Sequence, residues 1–242
     1  MTALTPTPGA KMMYLIKRRP ETSREELVAH WFANHMPIVI DGQSQLQAKG
    51  KPHAGRYLAT LFDPDKNGEH LWDGVAQLWW EQALPKPEKP FGTEPTDSFQ
   101  QKAEPYLPWA TTEYVVLDPD LSTQPLTLNA PYPMTRSGFY KVTFLVGTEA
   151  GTDHPALYKH WLEVHRLNVL EVLKAVGGIG YKISHSISPE SEPFAGMAEL
   201  YFNDESGWRD YLATIQPDGM ERWVSDAKTF VVKAHTEMVG IP

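Results

Sequence analysis

His30-Trp31-Phe32-Ala33-Asn34-His35 returns 130 residues later as His160-Trp161-Leu162-Glu163-Val164-His165. At the same offset Lys11 meets Lys141, Thr22 meets Thr152, Leu27 meets Leu157 and Val39 meets Val169. Apolar character also persists at Met12/Val142, Tyr14/Phe144 and Ile16/Val146. A second block aligns at 122, Gly74-Val-Ala76-Gln-Leu78-Trp-Trp80 against Gly196-Met-Ala198-Glu-Leu200-Tyr-Phe202. A third aligns at 116, Tyr114-Val-Val116 against Phe230-Val-Val232. A falling offset with preserved order means one unit written twice, with shorter loops in the second copy.

Each copy reads β-α-β-β-α-β. In the first, Lys11 to Arg18 is a short apolar strand, and Ser23-Arg-Glu-Glu26 is a capping box that opens a helix. Leu27, Trp31, His35 and Ile38 recur at three- and four-residue spacing and form one stripe on that helix. Gly55–Phe62 and Gly74–Trp80 are strands joined by the turn-prone Asp63–Gly68. A short helix over Ser98–Ala103 follows the Pro-rich stretch Leu84–Pro95, and Thr111–Leu117 closes the copy as a strand. In the second, Tyr140–Val146, Ile179–Ile187, Phe194–Phe202 and Lys228–Thr236 are strands. Asp153 caps a helix with Pro155 in its first turn, and Ser206–Thr214 is a second helix. This order is the ferredoxin-like split βαβ. The expected organisation is a first unit over 11–118, a linker over 119–137 and a second unit over 138–238.

Composition narrows the function. The chain of 242 residues has no cysteine, which excludes disulfides, thiolate metal sites, iron–sulfur clusters and cysteine nucleophiles. A formal charge of −8 speaks against nucleic-acid binding, which needs a basic face. No apolar run is long enough to span a membrane, and residues 1–11 lack a signal-peptide pattern, so the expected location is cytoplasmic. Eight Trp, ten Tyr and nine Phe suit both a large core and an aromatic-lined pocket.

The strand, the capped helix and Trp-x-x-x-His at the helix end resemble the EthD family of dimeric α/β-barrel proteins. The first copy carries the fuller pattern: Lys17-Arg18-Arg19-Pro20, Arg24-Glu-Glu-Leu27, then His30-Trp31 through His35-Met36-Pro37. The second keeps Trp161 and His165 but has Arg166-Leu167 where the proline would follow. The resemblance implies an α+β fold in which two tandem ferredoxin-like units close an intramolecular dimeric α/β-barrel, a pseudo-dimer that is itself a monomer or a homodimer. It implies a cofactor-independent enzyme, of isomerase, cyclase, decarboxylase or monooxygenase type, acting on a small apolar, aromatic or lactone-like molecule. A non-catalytic binding protein and a haem-binding protein are the other readings. Physically, a sheet covered by helices on one face needs its other, apolar face covered as well.

Trp31 and His35 lie four apart, so their side chains meet on one helix face, where a partly desolvated imidazole suits general acid/base work. The plainer alternative is a helix-end histidine bonded to a backbone carbonyl. His165 with Trp161 repeats the pair. His53 and His185 are placed to approach the helix-end histidines across a pocket, Arg56, Tyr57 and Tyr181 suit a carboxylate or phenol, and Tyr14 shares a strand face with Met12 and Ile16. His30 and His160 sit five residues before their partners, about 140° away around the helix, so no metal site is expected. Pro37 disfavours helical geometry at Met36 and should end the first helix beside His35. His165 should instead lie mid-helix, more enclosed, with Arg166 lowering its pKa and the helix running to about Lys174. His35 is the expected acid/base and His165 a weaker second site or a vestige.

Overall fold

The computed structural model describes residues 4–64, 71–119 and 131–242. Most of the turn Asp63–Gly68 and of the linker 119–137 lies outside the described residues. In the first half the elements are β1 (Ala10–Ile16), α1 (Arg24–His30), a π-helical turn (Trp31–His35), α2 (Met36–Ala48), β2 (Arg56–Leu61), β3 (Gly74–Trp80), α3 (Ser98–Lys102) and β4 (Trp109–Leu117). After β5 (Met134–Arg136) come β6 (Tyr140–Val146), α4 (His154–His160), a second π turn (Trp161–His165), α5 (Arg166–Ala175), β7 (Gly180–Ser186) and β8 (Gly196–Phe202). The chain ends with α6 (Glu205–Thr214), a 3-10 turn (Met220–Arg222), β9 (Phe230–Ala234) and β10 (Thr236–Ile241). No helix among the described residues is long and apolar enough to cross a membrane.

Two compact units result. Among the described residues, the N-unit comprises 9–64, 71–110, 131–137 and 234–242, and the C-unit comprises 4–8, 111–119 and 138–233. Strands of the N-unit run in the order β5-β10-β2-β3-β1, and those of the C-unit β4-β7-β8-β6-β9. Both are antiparallel arrangements of the α+β class. The C-unit holds β7-β8-β6-β9, the ferredoxin-like order with the first strand between the third and fourth. Each unit also takes a strand from the other half of the sequence. Thr111–Leu117 of β4 pairs with β7, and β10 pairs with β2.

The helix starts follow the expected chemistry: Ser23 Oγ accepts from the Glu26 N–H at 3.1 Å, and Asp153 Oδ1 from the Ala156 N–H at 3.0 Å. Beyond them the helices depart from α geometry in the same place. The Met36 N–H bonds Trp31 O and the Arg166 N–H bonds Trp161 O, each one residue further back than an α-helix allows. The extra residue shifts the buried face. Leu27, Trp31, Met36 and Ile40 are buried, whereas Ile38 is 57% exposed, so the expected stripe holds only as far as the π turn. Pro37 does not end the helix. Met36 keeps helical dihedrals of −59° and −44°, and α2 continues to Ala48. A π turn already breaks the i→i−4 ladder, so the missing N–H of Pro37 costs little there.

Trp31 and Trp161 lie over strand glycines. A Cβ on Gly74 would sit 2.4 Å from Thr60 O and 3.1 Å from Trp31 Cζ3, and one on Gly196 would sit 2.6 Å from Ser184 O and 3.0 Å from Trp161 Cζ3. The sheet face away from the helices is not the apolar surface expected. Alternation puts Lys141, Thr143, Glu199, Lys182 and Ser184 of the C-unit there, all buried. Lys141 Nζ meets Glu199 Oε1 at 2.6 Å with both side chains at most 1% exposed, and lies 4.8 Å from the Tyr201 ring centre. In the N-unit Glu237 pairs with Arg136 at 2.6 Å and accepts from Thr60 Oγ1. Buried charges persist only when paired in this way.

The π turn makes a prediction that a regular helix would reverse. Met36→Ala should destabilise the fold by about 2–5 kcal/mol, and Ile38→Ala by no more than about 0.5 kcal/mol, in urea unfolding.

Candidate functional site

Between helices and sheet each unit holds a cavity, about 300 Å³ in the N-unit and about 400 Å³ in the C-unit. The N-unit cavity is lined by Tyr14, Trp31, His35, Tyr57, Phe99 and Tyr106 among others. Trp31 Nε1 donates to Tyr57 Oη at 3.1 Å, which satisfies a buried indole N–H. His35 packs on Phe99 with ring centres 4.5 Å apart, and its side chain is 15% exposed. Its Nδ1 lies 2.6 Å from Asp97 Oδ2. The other Asp97 oxygen accepts the Gln100 N–H at 2.8 Å and caps α3. Burial alone would raise the Asp97 pKa, but the hydrogen bonds from His35 and the Gln100 backbone outweigh it and hold the carboxyl below its usual range. An ionised Asp97 fixes the proton of a neutral His35 on Nδ1 and leaves Nε2 as the basic nitrogen. Desolvation pushes Tyr14 up to about 12 and raises Tyr57 and Tyr106 further, so all three phenols stay protonated near neutrality.

The C-unit repeats the pair. His165 Nδ1 lies 2.8 Å from Asp218 Oδ2, beside Trp161, Tyr181 and Tyr211 in the cavity wall. Here the carboxylate serves more partners: Asn168 Nδ2 donates to Oδ2 at 2.9 Å, and His160 Nε2 lies 3.3 Å from Oδ1. In the N-unit the counterpart His30 is diverted to Ser98 Oγ at 2.9 Å. Burial lowers the His165 pKa, with Asp218 opposing it. Burial and not Arg166 is the cause; the Arg166 Nε donates to Leu162 O at 2.7 Å. His165 is also the less enclosed of the two, at 25% exposure against 15% for His35. The helix does run on past it, as α5 to Ala175.

The motif reading does not reach Asp97 and Asp218, yet a signal for them exists. Asp97-Ser-Phe-Gln100 and Asp218-Gly-Met-Glu221 align at an offset of 121, between the 122 and 116 blocks. The isolated bridges Arg18–Ala103 and Thr148–Val224 mark the same equivalence in space. Thus the 3-10 turn, not α6, is the counterpart of α3. In the first copy the place of α6 is taken by Leu84–Pro95, whose prolines at 85, 87 and 90 forbid a helix.

The remaining residues of the sequence reading lie elsewhere. His53 bonds Lys51 O at 3.0 Å outside the cavity wall. Arg56 lies over Trp79, 4.8 Å from its ring, on the opposite sheet face. His185 is 4% exposed, stacked on Tyr158 at 4.2 Å and 5.0 Å from the Trp161 ring, at the strand position Leu61 holds in the first copy. Its Nε2 is buried with no hydrogen-bond partner among the described residues, and burial drives its pKa down to about 3.

No family model matches the chain, and no curated protein does. Among solved structures it is similar to a mutant chlorite dismutase from Candidatus Nitrospira defluvii, at a TM-score of 0.45 and 11% identity over 94% of this chain and 92% of that one. It is also similar to a haem-binding protein from Thermus thermophilus, at 0.41 and 12% over 96% and 93%. Neither likeness is strong enough to assign a family.

The histidines carry two predictions. Between pH 6.5 and about 3 the unfolded chain protonates the residue-185 imidazole while the folded state resists. Stability therefore falls as pH drops through that window, by up to about 1.4 kcal/mol per pH unit for one proton. His185→Leu should flatten the slope and raise stability near neutrality by about 1 kcal/mol, in urea titrations at several pH values. Asp97→Ala should leave the fold intact but mix the two neutral tautomers of His35, visible as a change in its ring ¹⁵N shifts.

Proposed function

We propose that the protein is an enzyme acting on a small apolar, aromatic or lactone-like molecule, with the His35–Asp97 pair as its general base and acid. One observation carries the reading: the 2.6 Å bond that orients the His35 imidazole at the wall of an aromatic cavity. With Asp97 holding Nδ1–H, Nε2 is the atom that accepts a substrate proton, and the carboxylate stabilises the imidazolium that forms. Tyr14 and Tyr106, neutral because of their burial, line the same cavity and supply O–H donors for a developing oxyanion. Trp31 and Tyr57 are its wall. The His165–Asp218 pair is a second, weaker site of the same design. The proposal includes membership of the EthD-like type, with the two halves forming a pseudo-dimer in one chain. The duplication at falling offsets supports it, as does the exchange of strands between the halves.

Haem is a poor match to these cavities. Among the described residues lining either one there is no lysine or arginine to pair with two propionates, and the C-unit wall offers Glu221 and Asp226 instead. In the proposed chemistry the acid, the base and the oxyanion donors are side chains.

Turnover should be sought with aromatic ketones, phenols and unsaturated lactones, following product by mass spectrometry. Once a substrate is found, His35→Ala should lower kcat by about 10²–10⁴, and Asp97→Asn by a smaller factor, with His165→Ala costing less than His35→Ala. Wild-type rates in both histidine variants would show that the imidazoles are structural.

A further inference from the structure

The two cavities share a histidine–aspartate pair but differ in charge. In the N-unit, Gln100 lines the cavity and its Oε1 accepts from Thr96. At the matching offset of 121 the C-unit has Glu221, and Asp226 stands where the first copy has Pro105. Both carboxylates line the C-unit cavity and both are solvent-exposed, which places them at its mouth. Glu221 holds the backbone N–H groups of Asp218 and Gly219, and Asp226 has no hydrogen bond or ion pair among the described residues. The nearby cations are directed elsewhere: Arg166 to Leu162 O, Arg222 to Gly219 O, and Lys228 to Thr148 O. None of them lines the cavity.

A second, independent difference lies at the floor. In the N-unit Trp31 Nε1–H donates to Tyr57 Oη at 3.1 Å. Their counterparts Trp161 and Tyr181 are each 1% exposed and interact with one another, but the indole N–H and the phenol oxygen fall outside good hydrogen-bond geometry and neither has another partner among the described residues. The floor of the C-unit cavity is thus less well bonded than that of the N-unit, and an acceptor atom reaching it gains a well-aligned donor.

We propose that the C-unit cavity is a ligand site of its own, selective for an arylalkylamine: ammonium between Glu221 and Asp226, aromatic body within, and a ring oxygen at the floor beside Trp161 and Tyr181. Anionic analogues are repelled at the mouth. The site needs no chemistry at His35 or His165, so its test is independent of the enzymatic reading.

The probes are tyramine, 2-phenylethylamine and 3-(4-hydroxyphenyl)propionate, measured by calorimetric titration on the full chain. Tyramine should bind about tenfold more tightly than the carboxylate, with 2-phenylethylamine between them, and rising salt should weaken tyramine binding. Glu221→Gln with Asp226→Asn, two exposed positions that leave the core untouched, should abolish the preference for the amine. Ala198→Trp, which fills this cavity, should remove tyramine binding, whereas the equivalent Ala76→Trp in the N-unit should not. Equal binding of amine and carboxylate, no binding of tyramine, survival of the preference in the double variant, or loss of tyramine binding in Ala76→Trp alone would each overturn the assignment. If Ala198→Trp fails to fold, the double variant and the salt dependence still decide.

Discussion

An indole ring lying on bare strand backbone sets the distance between helix and sheet in each unit. Trp31 rests over Gly74 and Trp161 over Gly196, with no room at either glycine for a methyl group. Because the tryptophan opens the π turn, that contact also fixes where the helix takes in one extra residue, and so which side chain next faces the sheet. His35 and His165, the last residues of those turns, are carried to the cavity wall by this geometry. A π turn is rare beside the α-helix around it, and such turns cluster at functional sites. Finding one twice, in the same frame, ties it to the position of the imidazole.

Much of this is legible in residue patterns. The capped helix starts, the order of strands and the pairing of Trp with His all follow from spacing, because side-chain periodicity and backbone capping are local properties. What spacing misses is also local in cause but hidden. Periodicity assumes a constant turn, so the inserted residue puts Ile38 on the outer face and Met36 on the inner one. Pro37 reads as a helix stop only where the ladder it would break is intact. The carboxylate partners of the histidines come from 62 and 53 residues downstream, and no spacing rule reaches that far. Only the repeat itself, aligned once more at 121, points to them.

Duplication followed by divergence explains why the two sites are alike in plan and unlike in detail. Ser98 draws His30 away from Asp97, leaving that carboxylate to His35 and to its helix cap. Gly219 stands in the place of Ser98 with a φ of 96°, a left-handed conformation that suits glycine, and without a hydroxyl His160 turns to Asp218 instead. One side-chain change thus moves a carboxylate from serving one imidazole to serving two.

The exchange of strands bears on how the protein comes into being. On the ribosome the first 110 residues emerge with β1, β2 and β3, but β10, which pairs along β2, follows only after every other described strand. Until residue 241 is free, the outer edge of β2 lacks its neighbour. An unpaired edge of that kind attracts other chains. The N-unit sheet is therefore complete only once the second half of the sequence has been made. Cutting the gene between its two repeats would separate strands that belong together, so the duplication visible in the sequence is not a duplication of independent folding units.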